Sequence, residues 1–302
     1  MTPNGAYSLA LQNPQRDPEL EKIILQEDRA TYYYISDCLK CKWPEGEDVI
    51  CKNCDLSLRY AMRFLKGERF HKGEPAILTH PYSAIAYAEH VIKGRWDKAE
   101  IILQNYPINA ANYASDVIKG AWPEAEETIL KDPTAILDYA KHALRARWPK
   151  GEKLILKDGF IAATYASDVI KGTWPEAEQA IMEDNEGICH YAEFVLGERW
   201  KEAEIFILTD PEAACQYAQD VIQGRWREAE RFIATKAECA LNYALWVLEN
   251  RFFIGERSIF LGLGTENDYE RQSVIAQYEE SFRVSLAAIY DNSHIGWEQE
   301  GF

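Results

Sequence analysis

Apolar residues recur along this chain with two superposed rhythms. Within short segments they fall at helical spacing, as in Ala110, Ala111, Ala114, Val117 and Ile118. Over longer distances the same positions return every 26 residues. Aromatics mark the beat at Trp43, Phe70, Trp96, Trp122, Trp148, Trp174, Trp200, Trp226 and Phe252, with spacings of 27 once and then 26 seven times. Tyrosines at 34, 60, 87, 113, 139, 165, 191, 217 and 243 form a second ladder, and Ile or Leu from Ile50 to Ile259 a third. A fixed period of this size signals a repeat architecture.

Each unit reads as two short helices. The first runs over roughly 107–119 in one copy and 133–145 in the next. It ends at Gly120, a residue type suited to a left-handed C-terminal turn, with Gly94, Gly172, Gly224 or Asn250 in the same place elsewhere. The second helix opens at Pro123, where a missing N–H costs nothing, and Glu124 complements the dipole in its first turn. Ile129 and Leu130 are expected to face inward, and Asp132-Pro133 stops one helix and caps the next. Helices of about 12 and 9 residues do not stand alone, so each pair must stack on its neighbours.

The predicted fold is all-α: an α-solenoid of about nine to ten two-helix repeats with a C-terminal helical cap. Residues 1–30 are read as a degenerate N-terminal capping repeat in which Asp17 and Glu21 continue the series. Residues 31–261 form the array, and 262–302 the cap and tail. In the cap, GLGTEND is a turn-rich break, 269–290 one longer helix with Val274, Tyr278, Phe282, Leu286 and Ile289 on one face, and HIGWEQEGF a loose end.

The segments KGAWPEAE, KGTWPEAE, GRWREAE and CKWPEGE resemble the short helical repeats, with GRWPEAE or GRFPEGE cores, of tailed-bacteriophage and mobile-element proteins. The resemblance covers roughly 17–261. It implies a phage-type factor that binds and inhibits or redirects a host protein, anti-defence activity being one form. It carries over no shared chemistry.

Charge narrows the partner. The formal net charge is −16, so the chain is expected to repel nucleic acid and anionic membranes and to favour a protein partner with a basic surface. No secretory signal is visible, seven cysteines form no framework along the chain, and a cytoplasmic protein is expected, in the host cytoplasm if phage-encoded. Oligomeric state is not legible.

Four residues after each aromatic stands a glutamate, from Glu47 through Glu126 to Glu256. This ladder reads either as an acidic stripe, including an acidic mimic of nucleic acid, or as a joint. In a joint each carboxylate accepts from an indole N–H, a tyrosine O–H or a backbone N–H of a neighbouring repeat. Constancy between copies favours the joint, because a binding surface should vary. Cys38, Cys41, Cys51 and Cys54 spell CxxC-x9-CxxC, which alone suggests zinc. Repeat alignment instead puts the two pairs near opposite ends of a ten-residue helix, about 15 Å apart, too far for one tetrahedral site. Cys189 and Cys215 replace core alanines.

Six residues before the aromatic, the chain carries Asp37, then His90, Asp116, His142, Asp168, Phe194, Asp220 and Trp246. His90, Asp116, His142 and Asp168 are candidates for an interleaved charge ladder or a partner-binding row; a solvated face is the plainer reading. No nucleophile–base set, phosphate loop or cofactor motif is present, so neither a cofactor nor an enzymatic activity is expected. The alternatives to a protein-binding scaffold are the nucleic-acid mimic, a structural assembly component and a small-ligand sequestering protein.

Overall fold

The computed structural model describes residues 1–13 and 15–290. Its elements are helical, with no strand among the described residues. The expected tail HIGWEQEGF lies outside them. The chain forms two compact units, Met1–Gly151 and Glu152–Phe302.

Within each unit the repeat follows the predicted plan of a long and a short helix. In one copy the first helix comprises Pro107–Tyr113 and Ala114–Ile118, and the second comprises Pro123–Ala125 and Glu126–Ile129. Asp132 caps the next helix by accepting from the Ala135 N–H, and Asp158, Asp184 and Asp210 do the same for theirs. First helices of successive repeats lie against one another, as Pro107–Tyr113 does against Pro133–Asp138. The tyrosine ladder and the isoleucine ladder run through the core: Tyr87, Tyr113, Ile77 and Ile129 are fully buried.

Three expectations need correction. The first helix is not α-helical throughout. Its second half is π-type, closed by bonds five residues back such as Lys171 N–H to the Ala166 carbonyl at 2.7 Å. Because this wider turn uses an extra residue, the left-handed position falls one residue before the glycine. It is occupied by Lys40, Lys93, Lys119, Arg145 and Lys171, with φ between 54° and 60°; after Cys54–Phe64, which is α-helical to its end, Lys66 and Gly67 are both left-handed. Gly120 has no positive φ and open space where a Cβ would sit; its N–H bonds the Ala114 carbonyl instead. The small penalty of a left-handed lysine is offset by its charge beside the helix C-terminus.

Second, Leu130 is only half-buried, whereas Ile129 is sealed. Third, the cap is two helices, Asp268–Phe282 and Leu286–Tyr290, broken at left-handed Arg283. Ile289 is therefore 40 % exposed and leaves the predicted face, while Val274, Tyr278 and Leu286 are buried.

Small residues before the glutamates allow close approach. A Cβ on Gly151 would lie 2.4 Å from Ile136 Cγ2 and 2.8 Å from the Trp148 ring. The copies with Ala125 and Ala99 at this place have Ala110 and Ala84 where Ile136 stands, whereas the copy with Ala203 keeps Ile188. Gly151→Ala should therefore destabilise unit 1 by about 1–3 kcal/mol through overpacking. Adding Ile136→Ala should recover part of that loss in a double-mutant cycle followed by chemical unfolding. Simple additivity of the two losses would show that the pair is not matched.

Candidate functional site

The glutamate ladder is built into the joints. Arg95 grips Glu100 through two bonds of 2.8 Å, and the Tyr113 hydroxyl donates to Glu100 Oε1 at 3.0 Å. That same hydroxyl accepts the Trp96 backbone N–H at 2.6 Å. Tyr113 belongs to the following repeat, so one phenol ties two repeats together. The tyrosine–glutamate bond recurs at Glu21–Tyr34, Glu47–Tyr60, Glu74–Tyr87, Glu204–Tyr217 and Glu230–Tyr243. Of the three donor types considered, the tyrosine O–H is the one used; the buried indole Nε1 atoms of Trp43, Trp96 and Trp122 have no partner.

The local electrostatics agree with this role. The Arg95 hydrogen bond holds the Glu100 carboxyl below its ordinary value against the opposing effect of burial. At Glu74, burial pushes upward, but Arg69 outweighs it and the net direction is down. Burial pushes the Tyr87 hydroxyl up to about 12. Where the cis arginine is missing, as at Ala121, the following repeat supplies a cation: Lys150 lies 3.5 Å from Glu126. These carboxylates are engaged internally, which leaves little of the ladder as an outward stripe.

The ends of the array are closed by the same bond. At the N-terminus Asp17 replaces the aromatic and caps Pro18–Ile24, while Arg16 and Tyr34 hold Glu21. At the C-terminus Tyr278, from the cap, takes the place of the missing repeat tyrosine. It donates to Glu256 at 2.8 Å and accepts from the Phe252 N–H at 3.0 Å.

The four N-terminal cysteines occupy separate places. Cys38 lies in Tyr34–Leu39 and Cys41 is exposed just beyond it. Cys51 follows Pro44–Ile50, and Cys54 opens Cys54–Phe64 with its thiol 3.0 Å from the Ser83 hydroxyl. Among the described residues no group of three or more metal-ligating side chains gathers. Cys189, Cys215 and Cys239 are buried, and burial pushes the first two thiols up to about 12.

The alternating row lies on the π-type turns, three residues after each ladder tyrosine. His90 and Asp116 line one groove between neighbouring first helices, together with Glu89, Lys93 and Lys119. Each is engaged by its own neighbour in the chain: His90 lies 3.5 Å from Glu89, and Asp116 accepts from Ser115 at 2.9 Å. His142 draws the Asp138 carboxyl down, although burial pushes it up overall. Asp168 sits beside Ser167, whose hydroxyl also meets the His190 ring at 3.0 Å. Counting from the tyrosine also reveals a row member hidden by the single 27-residue spacing: Arg63, between Asp37 and His90. The signal was present in the sequence but required the tyrosine rather than the tryptophan as origin.

Stacking also creates features that a linear reading does not show. In unit 2 two grooves, about 300 Å³ and 460 Å³, share Glu238 and Asn242 as lining residues. The first adds Glu212, Asp220 and Lys236, and the second Tyr269 and Glu270. Lys236 is already paired with Glu212. Tyr269 is 86 % exposed and Trp246 65 %.

No protein-family model matches the chain, and neither a curated protein nor a solved structure shows significant similarity to it. Among the described residues no helix is long and apolar enough to cross a membrane.

Proposed function

We propose that this chain is a protein-binding helical-repeat scaffold whose partner presents a basic segment. The observation that supports the reading is the pair of grooves in unit 2 that share Glu238 and Asn242. They are lined by the carboxylates of Glu212, Asp220, Glu238 and Glu270, their one lysine is neutralised, and Tyr269 stands exposed at their side. Acidic side chains on a rigid helical face favour a cationic partner, and an exposed aromatic supplies contact area at little entropic cost. The residues that keep the beat are consumed in joints, so recognition falls to positions that differ between copies. In the phage-type setting that the repeat resemblance implies, the partner is a host protein that is inhibited or redirected, and the compartment is the cytoplasm. The reading assigns no reaction to the chain. The engagement of the glutamate ladder with tyrosine and arginine makes a nucleic-acid mimic the weaker reading.

The test is capture from a host lysate by the full chain beside a Glu238→Lys/Glu270→Lys variant. Both substitutions are at groove side chains outside the joints. A specific protein retained by the parent, released by salt and missing from the variant is expected. Equal retention by both chains would overturn the assignment of this face.

A further inference from the structure

The strongest unassigned feature lies in unit 1 and is independent of the acidic face just described. A groove of about 430 Å³ is lined by Lys40, Cys41, Lys42, Arg63, Phe64 and Lys66. Four of these six side chains are cationic and none is a carboxylate. In a chain of net charge −16, such a concentration of one sign needs an explanation.

Architecture accounts for only part of it. Lys40 and Lys66 hold the left-handed positions that end successive first helices, where a cation complements the dipole. Both are exposed. The neighbouring groove provides an internal comparison. It is built from the corresponding helix ends, with Lys93 and Lys119 in the places of Lys40 and Lys66, although the helix Cys54–Phe64 before Lys66 is α-helical to its end. There, Asp116 stands where Arg63 stands, and Glu89 where Ser36 stands. Two carboxylates thus face two lysines in one groove; in the other, Asp37 stands in the place of His90 and acts on Arg63 and Lys40 but does not line the groove. The repeat fold is compatible with either sign, so the fold itself does not require the cationic lining.

Arg63 is also held in position. Its guanidinium donates to the Ser36 hydroxyl at 2.6 Å and to the Ser36 carbonyl at 3.5 Å, both neutral acceptors. Ser36 donates in turn to Asp37, which also accepts the Tyr7 hydroxyl at 2.7 Å. Tyr7 comes from the N-terminal helix Pro3–Gln12, so this end of the chain fixes the arginine's support. Lys42 pairs with Glu68 at 2.6 Å, but both side chains are well exposed, 44 % and 72 %. Such a pair contributes little and can exchange for a better anion.

We propose that this groove binds a compact, multivalent phosphate anion of the diphosphate type. Two phosphoryl groups would spread their charge between Lys40 and Lys66 on the two sides, with the planar fork of Arg63 offering paired N–H donors. A single carboxylate would leave most of the cations unmatched. The diphosphate can come free or as part of a nucleotide, and the two sources are separable by experiment.

Isothermal titration of the full chain with sodium pyrophosphate, orthophosphate and ADP, at low and at about 150 mM salt, tests the proposal. Pyrophosphate should bind at one site and more tightly than orthophosphate, with affinity falling as salt rises. A tighter response to ADP than to pyrophosphate assigns the nucleotide source; an equal or weaker one assigns the free diphosphate. Lys40→Asn with Lys66→Asn should weaken pyrophosphate binding by about tenfold or more. Asparagine tolerates the left-handed backbone, and circular dichroism would verify the fold. Arg63→Asp, which copies the neighbouring groove, should weaken binding at least as much. Lys93→Asn with Lys119→Asn should leave it within about twofold. Absence of pyrophosphate binding, equal binding of orthophosphate, or equal weakening by the Lys93/Lys119 pair would overturn the proposal.

Discussion

Tyr113→Phe is expected to destabilise the chain by about 2–3 kcal/mol although it removes a single oxygen. The ring would still pack on Trp122, with centroids 5.1 Å apart. What is lost is the hydroxyl that serves two buried groups, the Glu100 carboxylate and the Trp96 N–H. Neither can recover its partner from water, because Trp96 and Glu100 are both buried. An unmet buried donor and a half-met buried carboxylate each carry a desolvation penalty, which is larger than the net value of an ordinary hydrogen bond. Glu126→Ala, at a joint where the side chain is 22 % exposed and the tyrosine bond is 3.5 Å, should cost less, about 1 kcal/mol. Tyr106→Phe, on a half-exposed ring, is the neutral control. Denaturant unfolding followed by circular dichroism ranks the three. A Tyr113→Phe chain as stable as the control would remove the phenol from its role as the tie between repeats.

Alkaline pH should dismantle the fold more abruptly than acid. Burial raises the folded-state pKa of Tyr87, Tyr217 and Tyr243 to about 12, and it raises Tyr60, Tyr113 and Tyr139 in the same direction. For such a group the stabilisation is complete below the unfolded value of about 10 and is lost as pH climbs towards the folded one. Each pKa unit corresponds to about 1.4 kcal/mol, so several tyrosines losing it together between pH 10 and 12 remove most of an ordinary domain's stability. On the acid side the sign reverses. The depressed carboxyls of Glu21, Glu74 and Glu100 contribute above the unfolded value of about 4.3, and that contribution fades as pH falls through their folded values. Thermal melts at stepped pH, read alongside tyrosinate absorbance, check both limbs. Helix signal and tyrosinate should change together above pH 10. If the tyrosines ionised smoothly near pH 10 with the helices intact, the hydroxyls would not be locked in the joints.

Both predictions rest on a ladder whose existence was legible but whose partner was not. Constant spacing identifies a joint, since only packing between copies demands identity in every copy. It does not say which constant position meets which. Tyr113 lies 13 residues beyond Glu100 and 17 beyond Trp96, in the following repeat. Any two constant positions recur together at the same period, so periodicity alone cannot select that pair from the alternatives.

What the amino-acid order determined by itself was whatever depends on local chemistry and on repetition: paired short helices, aspartate caps, the proline starts, and a core of Tyr, Ile and small residues. The tertiary structure decided what depends on which chain segments stack. It chose tyrosine over indole as the partner of glutamate, and it placed Tyr278 of the cap in the last joint. Closing the first helix over 107–118 with a π-type turn moved the left-handed site from Gly120 to Lys119. It also gathered Lys40, Lys42, Arg63 and Lys66, which the sequence spreads over two repeats, around one groove. The physical reason is the same in each case: side chains from different repeats interact through space, and their charges and hydrogen bonds combine only after the helices have packed.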